Sequence, residues 1–258
     1  MKLLISNDDG VYAPGIKSLY KTLAEEHSTF VVAPLEERST TGHTLSLDNP
    51  LRVVEVDGEN NIYGCSGYPA DCTLMGFGKL MKERPDLIVS GINRGANLGQ
   101  DIYYSGTAAA AREGVFHGIP AIAVSSVCDF SKGPEHPIYF DTAARFILEL
   151  LRKNILELIA PFHLVNINVP DAKWSDIAGV KITELGFRNY SEEITERKDF
   201  RGRSYYWVGG VYKGFEGNEN TDCFSVDKNY ISVSVLNLLG GASEKISKWQ
   251  ELMKEFTF

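Results

Sequence analysis

The sequence predicts an α/β fold, a mainly parallel sheet flanked by helices, followed by a β-rich C-terminal extension and a terminal helix. Three observations carry this expectation. Through the first two-thirds of the chain, short apolar runs alternate with stretches of helical periodicity, the pattern of successive βαβ units. Polar clusters follow directly on several of those runs, where an open parallel sheet presents its ligand crevice. After Pro170 the helical periodicity gives way to β-like segments separated by charged and polar stretches.

Taken in order, KLLIS at 2–6 is a strand, 15–26 an amphipathic helix and 29–33 a second strand. RVVEV and NIYGC flank Asp57, Gly58, Asn60 and Asn61, residue types that accept turn geometry, and read as a hairpin-like pair. Pro69 suits the first turn of a helix running to about Met81. DLIVS at 86–90 is a buried strand, 106–117 is Ala-rich and helical, and AIAVS at 121–125 is another strand. Residues 142–151 carry apolar side chains at helical spacing, and 163–169 form a strand that stops at Pro170. Beyond it, ITELGF, SYYWVGG and ISVSVL read as strands, with 192–203 and 216–222 as connections between them. Ile246, Trp249 and Met253 mark an amphipathic helix over 243–256. The chain thus divides into a catalytic core, 1–170, and an arm with its helix, 171–258. The arm packs on a neighbouring subunit or serves as a lid or subdomain of one monomer.

With 43% hydrophobic and 23% charged residues the composition is that of an ordinary globular protein. A formal net charge of −8 leaves no general footprint for a nucleic-acid polymer, while a small anion held through a metal stays compatible. The apolar start of the chain is too short for a signal peptide, and no stretch approaches a membrane span. Cys65, Cys72, Cys128 and Cys223 show neither a C-x-x-C pair nor zinc-like spacing. Free thiols of this kind point to a reducing, cytoplasmic setting.

Three clusters at strand ends carry the chemistry: Asn7-Asp8-Asp9-Gly10, Glu37-Arg38-Ser39, and SGINRGANLG at 90–99. Adjacent carboxylates at a strand end repel each other and need a compensating charge. A hard cation, Mg²⁺, Mn²⁺ or Ca²⁺, supplies it through oxygen ligands, and Asp8, Asp9, Ser39 and Asn93 form such an all-oxygen set. The competing reading of Asp8-Asp9-Gly10 is a solvated turn with Gly10 at positive φ. In SGINRGANLG the glycines stand four apart, so the dinucleotide fingerprint fails, and no P-loop pattern occurs. What remains is a run whose backbone approaches an anion closely, with Asn93 and Asn97 facing the pocket, or else a structural turn. Ser105, Gly106 and Thr107 open the Ala-rich helix and serve either as an anion site or as an ordinary N-cap. Arg38 and Arg94 neighbour proposed ligands and either neutralise a phosphate or form surface pairs. His43 fits a supporting role better than ligation, and Tyr103 and Tyr104 line a base pocket or belong to the core or an interface. No G-x-S-x-G elbow and no Asp-x-Asp signature is present, which disfavours serine and aspartyl-phosphate chemistry.

LLISNDDGVYAPGI, VVAPLEERSTTGHTLSL, the PADC ending at Cys72, DLIVSGINRGANLG and YYSGTAAAAREG together closely resemble the survival protein E (SurE) family of nucleotidases. The motifs come in order over about residues 1–125 and continue more loosely through LVNINVP, YYWVGG and TDCFSVDKNYISVSVL. The resemblance implies a Rossmann-like core and hydrolysis of nucleoside 5′- and 3′-monophosphates to nucleoside and phosphate, with short polyphosphate as a further substrate. It implies one divalent metal ion per subunit on Asp8, Asp9, Ser39 and Asn93, with Asp8 and Asp9 catalytic, and phosphate on Asn97, Ser105, Gly106 and Thr107. It also implies a homodimer or homotetramer in which the C-terminal part exchanges between subunits. The family often has Thr where this chain has Tyr68, and a proline in the segment that here reads SVSVL at 232–236. A nucleotide-sensing module that binds without turnover is the rival expectation.

Overall fold

A computed structural model of the chain describes residues 1–128, 133 and 137–240. The helix expected over 243–256 lies outside the described residues. Among those described, one nine-stranded sheet organises the molecule. Its strands are β1 (Lys2–Ser6), β2 (Ser28–Pro34), β3 (Val53–Asp57), β4 (Ile62–Cys65), β5 (Leu87–Arg94), β6 (Ala121–Val127), β7 (His163–Pro170), β8 (Gly179–Ile182) and β13 (Tyr230–Asn237). They lie in the order β3-β4-β2-β1-β5-β6-β7-β13-β8. From β4 to β7 every pairing is parallel, whereas β3 and β13 run antiparallel to their neighbours β4 and β7. The mainly parallel α/β sheet is therefore borne out.

Alternate side chains of the buried strands enter two cores, as a period of two requires. Leu3, Ile5, Leu87, Val89, Ile122 and Val124 pack beneath the helices α1 (Pro14–Leu23) and α4 (Phe140–Arg152). On the other face, Leu4, Ile88, Ala121 and Ala123 meet α2 (Pro69–Met75) and α3 (Gly106–Phe116). The alanines of α3 let it lie close to the sheet, and a Cβ on its Gly114 would stand 2.2 Å from Ile88 Cδ1. No helix among the described residues is long and apolar enough to cross a membrane.

The helix expected to run from Pro69 to Met81 ends as α2 and continues as a wider π turn over Gly76–Leu80, closed by Met81 N–H donating to Gly76 O. The run ITELGF does not form one strand. Its first residue ends β8, and its last begins β9 (Phe187–Tyr190), while Glu184 and Gly186 leave the sheet to bond Asn220 and Asp222. The charged stretch 192–203 contains β10 (Ile194–Lys198), paired antiparallel with β11 (Ser204–Val208). Both strands are exposed along their whole length, so no one-sided apolar alternation betrays β10 in the sequence. The strand β12 (Tyr212–Glu216) pairs with β9, and the short helix α5 (Asp222–Asp227) leads into β13. Within 171–258, β8 and β13 thus complete the central sheet, and the arm proper is the pair of ribbons between them.

Candidate active site

Strand β1 sits between β2 and β5, so the chain leaves it toward one side and returns on the other. That reversal opens a crevice beyond the carboxyl ends of β1 and β5, the place where open α/β sheets bind ligands. Asn7, Asp8 and Asp9 follow β1 directly, and the bulged end of β5 carries Asn93 and Arg94. The turn after β1 is held by Asn7, whose Nδ2 donates to Gly10 O and whose Oδ1 accepts from Gly10 N–H. Gly10 has φ +99°, a conformation costly for a side chain. The sequence reading holds in part: Gly10 is at positive φ in a turn that presents two carboxylates, but the turn is buried rather than solvated, with Asn7 and Gly10 in the interior.

Asp8 is 3% exposed and faces the first turn of α3. The Thr107 hydroxyl donates to its Oδ1. A Cβ on Gly106 would lie 2.8 Å from Asp8 Cβ and 3.1 Å from Pro69 Cγ, so α2, α3 and the β1 turn meet at a point that only glycine fits. Burial pushes the Asp8 carboxyl up from 3.8 to about 6, and the neighbouring charge of Asp9 adds to the rise. Asp9 is less deeply buried. Burial raises its carboxyl too, with Glu37 adding to the rise, while Arg94 N–H, 3.0 Å from Asp9 Oδ2, works against both.

Asn93 donates from Nδ2 to Gly95 O at 2.9 Å, which turns its amide oxygen away from that bond and leaves it available as an acceptor. The loop after β2 reaches the same place through Arg38 N–H, which donates to Asp8 O at 2.7 Å. Ser39, next along, is exposed, and its hydroxyl donates to Glu37 Oε1 at 2.7 Å rather than toward the carboxylate pair. The Arg38 guanidinium lies 5.4 Å from the centre of the Tyr68 ring.

Among the residues expected to take phosphate, Gly106 and Thr107 line the Asp8 wall. Ser105 caps α3, its hydroxyl accepting from Ala108 N–H at 3.0 Å, so the N-cap reading holds. Asn97 is buried and turned inward: its Nδ2 donates to Ser125 Oγ, its N–H to Asn168 Oδ1, and its carbonyl accepts from Asn166 and Asn168. It anchors the 95–99 loop on β6 and β7 rather than facing an open pocket. Tyr103 and Tyr104 are exposed. His43 bonds Glu113 on α3, a supporting role as expected.

Several site-building residues escaped the sequence reading. Asp222, fully buried, accepts from Gly99, Gly186 and Cys223 N–H groups and so ties the 95–99 loop to the arm. Arg188 of β9 pairs with Asp101 at 2.6 Å and stacks 4.4 Å from the Tyr212 ring centre. Asp71 of the PADC run accepts from Tyr68 N–H and from Ser46, fastening the loop after Ser39 to α2. Asn166 and Asn168, alternating on an otherwise apolar strand, are the one signal by which the sequence could have marked the partners of Asn97.

The donors at the crevice are hard oxygens: two carboxylates, an amide oxygen and a nearby hydroxyl. With one carboxylate desolvated beside another, this chemistry fits Mg²⁺ or Mn²⁺ and not a soft metal. The first turn of α3 adds backbone N–H groups suited to an anion.

The chain is similar to known proteins along most of its length. The family model described as Survival protein SurE matches residues 3–192. A protein named 5′-nucleotidase SurE from Thermosipho melanesiensis is 41% identical over 253 residues, covering 97% of each chain. Its namesake from Geobacter sulfurreducens is 43% identical over 238 residues, covering 92% of this chain and 88% of its own. The crystal structure of the SurE protein from Aquifex aeolicus superposes with a TM-score of 0.83 at 35% identity, covering 99% of this chain and all of the other.

Proposed function

The chain belongs to the survival protein SurE family, and on that premise we propose that it is a divalent-metal-dependent nucleotidase. It hydrolyses nucleoside 5′- and 3′-monophosphates to nucleoside and phosphate, and short polyphosphate in addition. The observation that carries this reading is Asp8: a carboxylate 3% exposed, beside Asp9 and against the N-terminus of α3, at the switch point of a parallel sheet. Two neighbouring carboxylates there are stabilised by a cation, and the helix end beside them by an anion. A phosphomonoester with its metal supplies both.

Asp8, Asp9, Asn93 and Ser39 are the residues that would hold Mg²⁺ or Mn²⁺. When bound, the metal supplies Lewis acidity toward a phosphoryl oxygen and makes water more acidic. Ser39, exposed and bonded here to Glu37, would contribute its hydroxyl to that set. Thr107 fixes the direction of the Asp8 carboxylate. The Gly106 and Thr107 N–H groups, with Ser105 holding the turn, stabilise charge on the phosphoryl oxygens. Asn97 keeps the neighbouring loop in place. Asp9, with Oδ2 held by Arg94 N–H, accepts the proton of the attacking water at its other oxygen.

The partner beyond the nucleotide is a second copy of the chain, as homodimer or homotetramer. The ribbon of β10 and β11 exposes Ile194, Tyr206, Trp207 and Val208, the last at 85% exposure, which suits burial against another subunit. Four free thiols, three of them buried, suit work in the cytoplasm.

The test is phosphate release from a panel of 5′- and 3′-nucleoside monophosphates and tripolyphosphate, in EDTA and then with Mg²⁺ or Mn²⁺. Release that needs metal and favours nucleotides is the expected result. A folded protein that releases no phosphate with either metal would overturn it.

A further inference from the structure

Glu113 is a carboxylate two turns into α3, 6% exposed, with no part in the helix end that faces the crevice. Each of its oxygens meets a different histidine. His43 Nε2 is 2.7 Å from Oε2, and His117 Nε2 is 3.0 Å from Oε1. The hydrogen bond from His43, more than either charge, holds the Glu113 carboxyl below its ordinary range. A carboxylate this desolvated persists only where partners satisfy it. His117 belongs to the same helix, so its bond stays local. His43 comes from the loop after β2, and its ring also stacks on Phe116, 5.7 Å between centres and 11° between planes. The helix α3 therefore grips His43 on two sides.

That loop carries Ser39. Little regular structure supports it: Arg38 N–H bonds Asp8 O, Gly42 N–H bonds Tyr104 O, and Ser46 bonds Asp71. Ser39 and Thr40 between the first two ties are exposed, and Thr40 has φ +56°. The His43–Glu113 bond adds a side-chain tie to the same helix whose first turn packs on Asp8. One rigid element thus fixes both the Asp8 wall and the Ser39 loop.

We propose that His43 and Glu113 are positioning residues that hold the Ser39 loop in register with Asp8 and Asp9, and thereby set the affinity of the site for a divalent cation. The inference rests on the metal-dependent reading above. Neither residue touches substrate.

The experiment is Mn²⁺ binding to the metal-free full chain, read from the spin-resonance signal of free Mn²⁺ with no substrate present. His43→Ala should weaken binding by about tenfold or more, the usual scale for residues that orient ligands. His43→Gln, which keeps an N–H donor, should recover most of the loss. His117→Ala removes Glu113's other partner without touching the loop, and should bind Mn²⁺ as the parent does. Hydrogen exchange at the Gly42 amide should quicken in His43→Ala alone. Parental Mn²⁺ affinity in a folded His43→Ala would overturn the proposal, as would equal weakening in His117→Ala. A parent chain that binds no Mn²⁺ at all would bring down the metal reading, and this proposal with it.

Discussion

Replacing Asp8 with Asn should stabilise the metal-free protein while abolishing its activity. Burial lifts the Asp8 carboxyl from 3.8 to about 6. A rise of roughly 2 pH units, at about 1.4 kcal/mol each, makes the ionised form about 3 kcal/mol costlier in the folded chain than in the unfolded one. Because the folded value lies above the unfolded one, the cost is complete above pH of about 6, shrinks as pH falls from there toward 3.8, and is absent below it. Asn is neutral throughout and keeps an oxygen for the Thr107 hydroxyl. In EDTA at about pH 7.5 the variant should therefore melt several degrees higher, since a chain of this size gains about 2–4 °C per kcal/mol. The advantage should close as pH approaches about 4. Mn²⁺ should raise the melting temperature of the parent and leave that of Asp8→Asn where it was. Calorimetry in EDTA and in Mn²⁺ at the two pH values, with phosphate release measured in parallel, reads all of this. A variant less stable than the parent in EDTA at the higher pH, or one whose melting still responds to Mn²⁺, would refute the reasoning.

Two further outcomes follow from close packing at the crevice. Gly106→Ala places a Cβ 2.8 Å from Asp8 Cβ, nearly 1 Å inside an ordinary contact distance. It should cost about 1–3 kcal/mol of stability and, by displacing Asp8, about a hundredfold in kcat, whereas Gly78→Ala, which meets nothing within 4 Å, should be silent in both assays. Asp222→Ala leaves the Gly99 and Gly186 N–H groups unpaired in the interior. A loss of about 3 kcal/mol or more in denaturant melts is expected, together with a higher KM as the 95–99 loop loosens.

Most elements up to β7 were legible because buried parallel strands and their covering helices must repeat apolar residues at periods near 2 and 3.6. Lys2–Ser6 and Ala121–Val127 could hardly be anything else. Legibility failed where burial is not one-sided. Ile194–Lys198 is wet on both faces, and Gly76–Leu80 widens to a π turn where a Cβ on Gly76 would meet the Leu4 side chain at 2.7 Å. The site divides the same way. Asp8, Asp9 and Asn93 are strand-end residues, and their position follows from the pattern of the strands that precede them. Asn97 read as an open-pocket residue because an amide beside glycines suits an anion. Its partners, Ser125 and Asn168, lie on strands read independently of it, and they turn it inward.

The sequence by itself determined the α/β order of elements, the family, and the placing of two adjacent carboxylates at a strand end, since each is a local matter of periodicity, turn chemistry and contiguous motif. Only the tertiary structure decided that Asp8 is the buried member of the pair, that glycine at position 106 is what admits it against α3, and that Glu113 and Asp222 brace the loops around it. Those facts depend on which distant segments the sheet order brings together, and a carboxylate's burial and partners are set by that meeting rather than by its neighbours in the chain.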